Sequence, residues 1–427
     1  MRPYCHKNAE ILLLHSMKLL SASEADLIVA AQALREGKLV AFPTETVYGL
    51  GANAFDERAV ARIFEAKARP TFDPLIVHIA RLEDILILAE EVPENAWMLA
   101  RRLWPGPLTI ILPKRREVPD IVTAGLSTVA VRFPSHPVAR RIIELAQIPI
   151  AAPSANPFGY LSPTTAEHVI DMLGERIDYL VDGGPCDVGV ESTVIDMTAA
   201  RPALLRPGGM PLERIEELVG LVDIPGQVDI PGHGEPFADE GLEQAGEKDM
   251  LRSELGSEHS ETQGMAHSLK SREKKQNHLR KSLESPSQKG PSFESSSQKG
   301  PFQKSPSFKS PGQSSSHYAP STPLFLFDEG SLPEAVKLKG ILHPCIALAF
   351  DGRRARILRD SGLFDGVQIL SEEGDMREAA ARLFSLLHDL DEAGLAAIYA
   401  ERVPDAGLGR AINDRLYRAS RKERVQG

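Results

Sequence analysis

Two spacings of apolar residues alternate along this chain. Leu27, Ala30, Ala31 and Leu34 fall at i, i+3, i+4 and i+7, the spacing of one helix face. Leu39–Phe42 is a short apolar run closed by Pro43, as expected of a buried strand. Val60, Ile63 and Phe64 mark the next helix face, and strand-like runs follow at Leu75–Ile79, Leu108–Leu112, Val129–Phe133, Ile148–Ala152 and Thr193–Asp196. After a long interruption the pattern resumes. Cys345–Phe350, Val367–Leu370 and Leu395–Ala400 read as strands, and Met376, Ala380, Leu383 and Leu387 as a helix face. Helices alternating with strands predict an α/β class. One α/β block is expected over 18–222 and a smaller, Rossmann-like α/β domain over 335–427.

The interruption has its own composition. From Ser253 to Ser316 there is no Ile, Val, Trp or Tyr, and 18 of the 64 residues are Ser. Such a stretch cannot bury enough apolar surface to offset its ordering entropy. Ser-Gln-Lys-Gly-Pro occurs at Ser287–Pro291 and again at Ser297–Pro301. Residues 223–309 are therefore expected to be a disordered low-complexity insert, with 310–334 a linker and 1–17 an N-terminal extension.

The chain has 427 residues and a formal net charge of −10. Residues 17–222 carry 20 basic against 27 acidic side chains, which speaks against a generic basic nucleic-acid binder. Cys5, Cys186 and Cys345 show no CxxC spacing, so neither a disulfide framework nor a cysteine zinc site is expected. The apolar run Ile11–Leu14 is broken at once by His15 and Ser16 and has no small-residue cleavage site. Organised sequence begins just after Met17, an alternative start. No secretory signal and no membrane span are expected, and the reading is a soluble cytoplasmic protein.

No GxxxxGK[ST], GxGxxG or HExxH motif occurs. Five segments beside strands are more polar than a plain turn requires. Pro43–Gly51, PTETVYGLG, runs from a strand into hydroxyls, a carboxylate and glycines, which suit either a ligand or a turn. Lys67 lies seven residues after Val60, on the inward row of its helix, where a charge needs an anionic partner. With Arg69 it makes either a phosphate or carboxylate clamp or two cations at a helix C-terminus. His78, inside the next strand, reads first as a core histidine. Alternation puts Thr128, Ala130 and Arg132 on one face of a strand, so Arg132 meets a ligand carboxylate or phosphate, or an internal acid. Ala152–Asn156, APSAN, places Ser154 and Asn156 on one side, and Ser162 precedes a helix start where Thr164 and Glu167 match a capping box. Asp182–Val194 and Leu204–Gly209 bring glycines, Ser192 and Arg206 together, and Cys186 there reads as structural.

These segments together resemble the threonylcarbamoyl-AMP synthase family. PTETVYGLGA, KxR, PLIVH, TVAVRFPSHP, APSAN, SPTTAEHV, ESTVID and LRPGG stand in the family's order, and Gly407–Ala419 resembles the extra domain of its long, two-domain branch. The resemblance implies an open twisted mixed sheet (YrdC-like) with a cationic concave groove. It implies that L-threonine, bicarbonate or CO2, and ATP with Mg2+ give threonylcarbamoyl-adenylate and pyrophosphate. That product would feed a tRNA threonylcarbamoyl-transferase complex modifying adenosine 37, with direct tRNA contact a further expectation. By resemblance, Lys67, Arg69, Asp73, Ser154, Asn156, Ser162 and Arg206 fall on the ATP side. Thr46, His78, Thr128, Arg132 and Ser192 fall on the threonine side, with Arg132 expected to clamp the threonine carboxylate. His317 and Tyr318, in the SPG…HYAP linker remnant, would form a lid. Two departures stand out. Asp73 replaces a usual Asn, and the linker lacks the usual Met, basic and Tyr residues between SPG and HYAP. Two other readings of the same domain are a non-catalytic double-stranded RNA or tRNA binder and a carbamoyl-adenylate-forming hydrogenase-maturation factor. The latter class uses cysteine zinc motifs that this chain does not have.

Overall fold

Every run expected to be a strand is one. The structure, a computed structural model, describes residues 17–225, 318–328 and 340–421. The expectations for Cys5, for Ile11–Leu14, for His317 and for most of the 223–309 insert lie outside those residues. No helix among the described residues is long and apolar enough to cross a membrane.

The first block begins β1 (Lys18–Leu20), α1 (Glu24–Arg35), β2 (Val40–Phe42), β3 (Gly49–Asn53), α2 (Glu57–Lys67), β4 (Ile76–His78), α3 (Ile85–Leu88), α4 (Glu94–Leu103) and β5 (Leu108–Pro113). It continues α5 (Asp120–Thr123), β6 (Thr128–Arg132), α6 (Pro137–Ala146), β7 (Ile150–Ala151), α7 (Ala166–Leu173), β8 (Tyr179–Val181), β9 (Thr193–Asp196), β10 (Ala203–Arg206) and α8 (Leu212–Val219). The ten strands form one sheet in the order β1-β8-β2-β3-β7-β4-β6-β5-β9-β10. It is mixed: β4 and β6 run parallel, whereas β5 opposes β6 and β7 opposes β4.

The expected helix faces are the buried ones. Leu27, Ala30, Ala31 and Leu34 of α1, and Val60, Ile63 and Phe64 of α2, are all in the core. Each large apolar side chain so buried is worth about 1.5–3 kcal/mol. Asp56 caps α2 by accepting from the Arg58 and Ala59 amides. The helix stops because Ala68 turns left-handed at φ 49°, two residues before Pro70. That stop leaves Lys67 as the last helical residue, facing inward.

A second, all-parallel sheet is built from β11 (Leu324–Phe327), β12 (Cys345–Ala349), α9 (Gly352–Asp360), β13 (Gly366–Ile369), α10 (Met376–Glu392), β14 (Ala397–Glu401) and α11 (Gly409–Ser420), with strand order β11-β14-β12-β13. β11 comes from the stretch read as linker, so the linker supplies an edge strand. Nor does the first sheet's hold on the chain end at residue 222: Asp223 accepts from Leu204 N at 2.8 Å. The two sheets belong to one compact unit. A single apolar cluster joins Val47, Leu161 and Val190 of the first sheet's loops to Tyr318, Phe384 and Leu387. Gly189 permits the approach, since at φ +72° a Cβ there would stand 2.4 Å from Ala381 Cα on α10.

Candidate active site

Strand ends converge on one cavity. Its lining includes Thr46, His78, Arg132 and Ser192, expected on one side, and Arg69, Ser154 and Arg206, expected on the other. Register explains part of this. His78 and Arg132 are the paired last residues of parallel β4 and β6, and Thr109 of antiparallel β5 pairs with Arg132. The Pro43–Gly51 segment is the turn from β2 into β3, and it fastens neighbouring loops. Tyr48 N donates to Pro163 O at 2.9 Å, Ala155 N to Tyr48 O at 2.8 Å and Val188 N to Glu45 O at 2.8 Å.

Of the alternatives open for Arg132, the internal acid is present, although Arg132 also lines the cavity. Its Nη2 lies 2.8 Å from Glu45 Oε1, with both side chains about 95% buried. Glu45 is steered by Ser135 N, which donates to Oε2 at 3.1 Å. Arg132 Nε has no hydrogen-bond partner among the described residues, and neither has His78 Nδ1. Burial, reinforced by Arg132, pushes His78 down to about 3, so its ring is neutral. Thr46 Oγ1 lies 2.8 Å from Thr44 Oγ1. Ser192 Oγ lies 2.7 Å from Thr109 Oγ1 and accepts from Arg206 Nη2 at 3.1 Å.

On the other side the cations are held more tightly. Arg69 Nη2 pairs with Asp73 Oδ2 at 2.9 Å and donates to Pro74 O at 2.9 Å. Burial pulls Arg69 down against the opposing pull of Asp73, and pushes Asp73 up against Arg69. Lys67 is fully buried but meets no carboxylate at hydrogen-bonding range among the described residues. Its ammonium donates to Ser154 O at 2.6 Å and to Asn156 O. Burial, with Arg69 nearby, holds it well below the ordinary lysine range. Arg206 donates twice to Ser192 O. The LRPGG loop can lie on the β9 backbone because Gly208 has no Cβ, which would stand 2.3 Å from Glu191 O.

The second sheet's helices back the wall through Glu191 and Ser162. Arg415 of α11, wholly buried, donates from Nε to Glu191 Oε2 at 2.6 Å and from Nη1 to Asp414 Oδ2 at 2.6 Å. Its guanidinium lies 4.8 Å from the centre of the Tyr318 ring. Tyr318 lines the cavity and sits at φ 61°, where a side chain other than glycine is held only by its surroundings. Ala319 N donates to Gly159 O at 2.9 Å. Burial would raise the Glu191 carboxyl, but Arg415 and Arg206 outweigh it and keep it below the usual range. Ser162 Oγ donates to Glu191 Oε1, and His388 of α10 reaches Ser162 O at 3.2 Å.

Five expected site residues do not line the cavity. Thr128 is at the far end of β6 from Arg132, because a five-residue strand separates its termini by about 13 Å. Lys67, Asp73 and Ser162 hold Ser154, Arg69 and Glu191, which do line it, whereas Asn156 bonds Lys67, Pro157 and Tyr160, which do not. The helix after Ser162 is capped by Thr165, which accepts from His168 N, so Thr164 is not the cap. Glu45, Glu191 and Arg415 were not singled out as site residues. The first two lie in motifs that drew notice for other residues, and Arg415 lies in Gly407–Ala419, noted only for its resemblance to the family's extra domain.

An α/β protein with a cavity at the strand ends of a mixed sheet, and with an appended parallel sheet, is thus defined. A family profile described as "Telomere recombination" matches residues 32–208, and one described as "Threonylcarbamoyl-AMP synthase, C-terminal domain" matches 271–421. The chain is 40% identical over 393 residues to the threonylcarbamoyl-AMP synthase of Pyrococcus abyssi, covering 92% of this chain and 93% of that one. The Bacillus subtilis threonylcarbamoyl-AMP synthase is 37% identical over 407 residues, covering 94% of each. A crystal structure of P. abyssi Sua5 complexed with L-threonine matches at TM-score 0.67 and 38% identity, covering 95% of this chain and 97% of that one. The chain belongs to the threonylcarbamoyl-AMP synthase family, an enzyme family.

Proposed function

We propose that this chain makes threonylcarbamoyl-adenylate and pyrophosphate from L-threonine, bicarbonate or CO2, and ATP. The observation that carries this reading is one cavity lined by both expected sides, with Arg132 and His78 facing Arg69, Ser154 and Arg206. The threonine carboxylate pairs with Arg132, whose Nε is free of other bonds among the described residues. Neutral His78, with an unpartnered Nδ1, accepts from the threonine hydroxyl or amine. Ser192 and Thr46 supply further polar contacts. Arg69 and Arg206 face the phosphates.

The amine adds to CO2, forming the N–C bond and losing a proton. A carbamate oxygen then attacks the α-phosphorus, and the bond to pyrophosphate breaks. No protein nucleophile takes part, and burial keeps the Cys186 thiol well above its ordinary range. Catalysis is positioning and charge stabilisation. Among the residues lining the cavity the one carboxylate is Glu191, already held by Arg415 and Ser162. The lining residues offer no all-protein magnesium cage, so magnesium would come with ATP and would neutralise charge on its phosphates. The product would serve N6-threonylcarbamoylation of adenosine 37 in tRNA, by way of a transferase complex.

The test is the full chain with MgATP, bicarbonate and each amino acid in turn, following pyrophosphate and the adenylate. Threonine alone should support bicarbonate-dependent release. Equal release with serine or valine, or none with threonine, would overturn the reading. Discrimination against valine should be strong, because polar groups built for a hydroxyl are left unpaired by a methyl.

A further inference from the structure

The start of the second sheet carries a cluster that the cavity does not use. Cys345 opens β12, and Asp365 immediately precedes β13. The backbone ties the two positions reciprocally: Asp365 N donates to Cys345 O at 3.0 Å, and Cys345 N donates to Asp365 Oδ2 at 2.8 Å. His343, two residues before Cys345, turns its Nδ1 to within 2.7 Å of the same Oδ2 and 3.7 Å of Cys345 Sγ. The three donor atoms all lie within 4.8 Å of one another. Cys345 is buried, whereas the His343 and Asp365 side chains are about half exposed.

We propose that His343 Nδ1, Cys345 Sγ and Asp365 Oδ2 form a binding site for a zinc-class divalent cation, with water in the fourth position. Ordinary zinc bond lengths at tetrahedral angles set the S···N spacing at about 3.6 Å and the N···O spacing at about 3.4 Å. The first is already met, and the second requires the His343–Asp365 contact to open by less than about 1 Å. Thiolate and carboxylate together carry the two negative charges that a divalent ion neutralises. A thiolate beside imidazole and carboxylate favours zinc over magnesium or calcium.

Two simpler accounts explain less. A nucleophilic thiol needs one imidazole nitrogen for itself and the other for an orienting acid. Here a single nitrogen, Nδ1, faces both the thiol and the carboxylate, so the three donors converge on a point and do not form a relay. Fastening of the backbone by Asp365 accounts for its bond to Cys345 N, but not for the thiol and imidazole turned to the same spot. A bound ion would clip the segment before β12 to the start of β13 and stabilise the native chain by mass action.

The test is the full-length chain, stripped with a chelator and titrated with Co2+. It should bind one equivalent and develop a thiolate-to-cobalt charge-transfer band that Zn2+ displaces. Cys345→Ser should lose the band, while Cys5→Ser and Cys186→Ser keep it. Because Cys345 is buried, two half-exposed positions supply the second arm. Zn2+ should raise the melting temperature of the unaltered chain, and His343→Ala or Asp365→Asn should weaken that binding by about tenfold or more. Absence of the band in the unaltered chain, or its survival in Cys345→Ser, would overturn the proposal. So would an undiminished zinc response in both His343→Ala and Asp365→Asn.

Discussion

Arg132 and Arg415 are both buried and both paired with a glutamate, but Arg132 lines the cavity whereas Arg415 reaches it only through Glu191, and their surroundings differ. Arg132, from the first sheet, has one carboxylate, Glu45, and an Nε without a hydrogen bond among the described residues. Arg415, from the second sheet's last helix, has two carboxylates, Glu191 and Asp414, and the Tyr318 ring. A cation left short of partners can still take up a substrate carboxylate. A cation with surplus acid around it holds protein to protein. Under the proposed function the first sheet presents the surface that meets substrate, and the second braces it through Glu191.

The largest effect expected from this contrast is on stability. Arg415→Ala leaves Glu191 buried without its main partner, which costs about 3–5 kcal/mol. The denaturant midpoint should fall accordingly. Arg415→Met combined with Glu191→Gln removes both charges and should recover most of the loss. If the double variant is as unstable as the single one, the pair is not the link between the sheets.

Arg132→Ala combined with Glu45→Gln, which strands no buried carboxylate, should act on chemistry first. Losing a charge-assisted bond of about 1.5–3 kcal/mol predicts a fall in kcat/KM for threonine of about 10- to 150-fold. The KM for ATP should change far less. A uniform loss for both substrates would mean that Arg132, like Arg415, only supports the wall.

These two residues were not equally legible. Arg132 announces itself through alternation, because a cation on the polar side of TVAVRF needs a reason. Its pairing with Glu45 closes over 87 positions, and no local pattern reveals it. Arg415 meets Glu191 across 224 positions, and its own segment drew notice only by resemblance, which gave this residue no role. Lys67 shows the opposite limit. The helical period placed it inward correctly, but its partners are main-chain carbonyls of the APSAN loop, which carry no sequence signature. β11 was missed because Leu324–Phe327 is a four-residue apolar run in a stretch that composition marked as linker. Strand ends, main-chain partners and contacts between distant segments belong to tertiary structure, and periodicity does not encode them.

The contact between the sheets should also sense acid. His168 of α7 and His388 of α10 stack with ring centres 4.0 Å apart. Burial, aided by His168, pushes His388 down to about 4, and burial lowers His168 as well, although Asp389, Asp171, Glu167 and Glu392 oppose it. The unfolded chain binds protons at these rings near pH 6.5 and the native one only below that. The stabilisation is therefore complete above about pH 6.5 and is lost as pH falls toward about 4, by about 2–3 kcal/mol for His388. Urea midpoints at descending pH should show the loss, and His388→Asn should flatten it. An unchanged pH slope in that variant would place the sensitivity elsewhere.

The smallest expected effect concerns Asp73, and it asks whether Arg69 belongs with Arg132 or with Arg415. Arg69 lines the cavity, but Asp73 holds its Nη2 at 2.9 Å and neutralises it. Asp73→Asn keeps an acceptor for Arg69 and removes the negative charge. If Arg69 meets the phosphates, the substitution frees its charge for them, and the KM for ATP should fall about three- to tenfold, or about 1 kcal/mol, with that for threonine unchanged. A higher KM for ATP would show that the Asp73 charge itself serves the nucleotide, by fixing Arg69 in the only orientation that reaches it. An unaltered KM would leave Arg69 beside Arg415, as a cation that braces the wall.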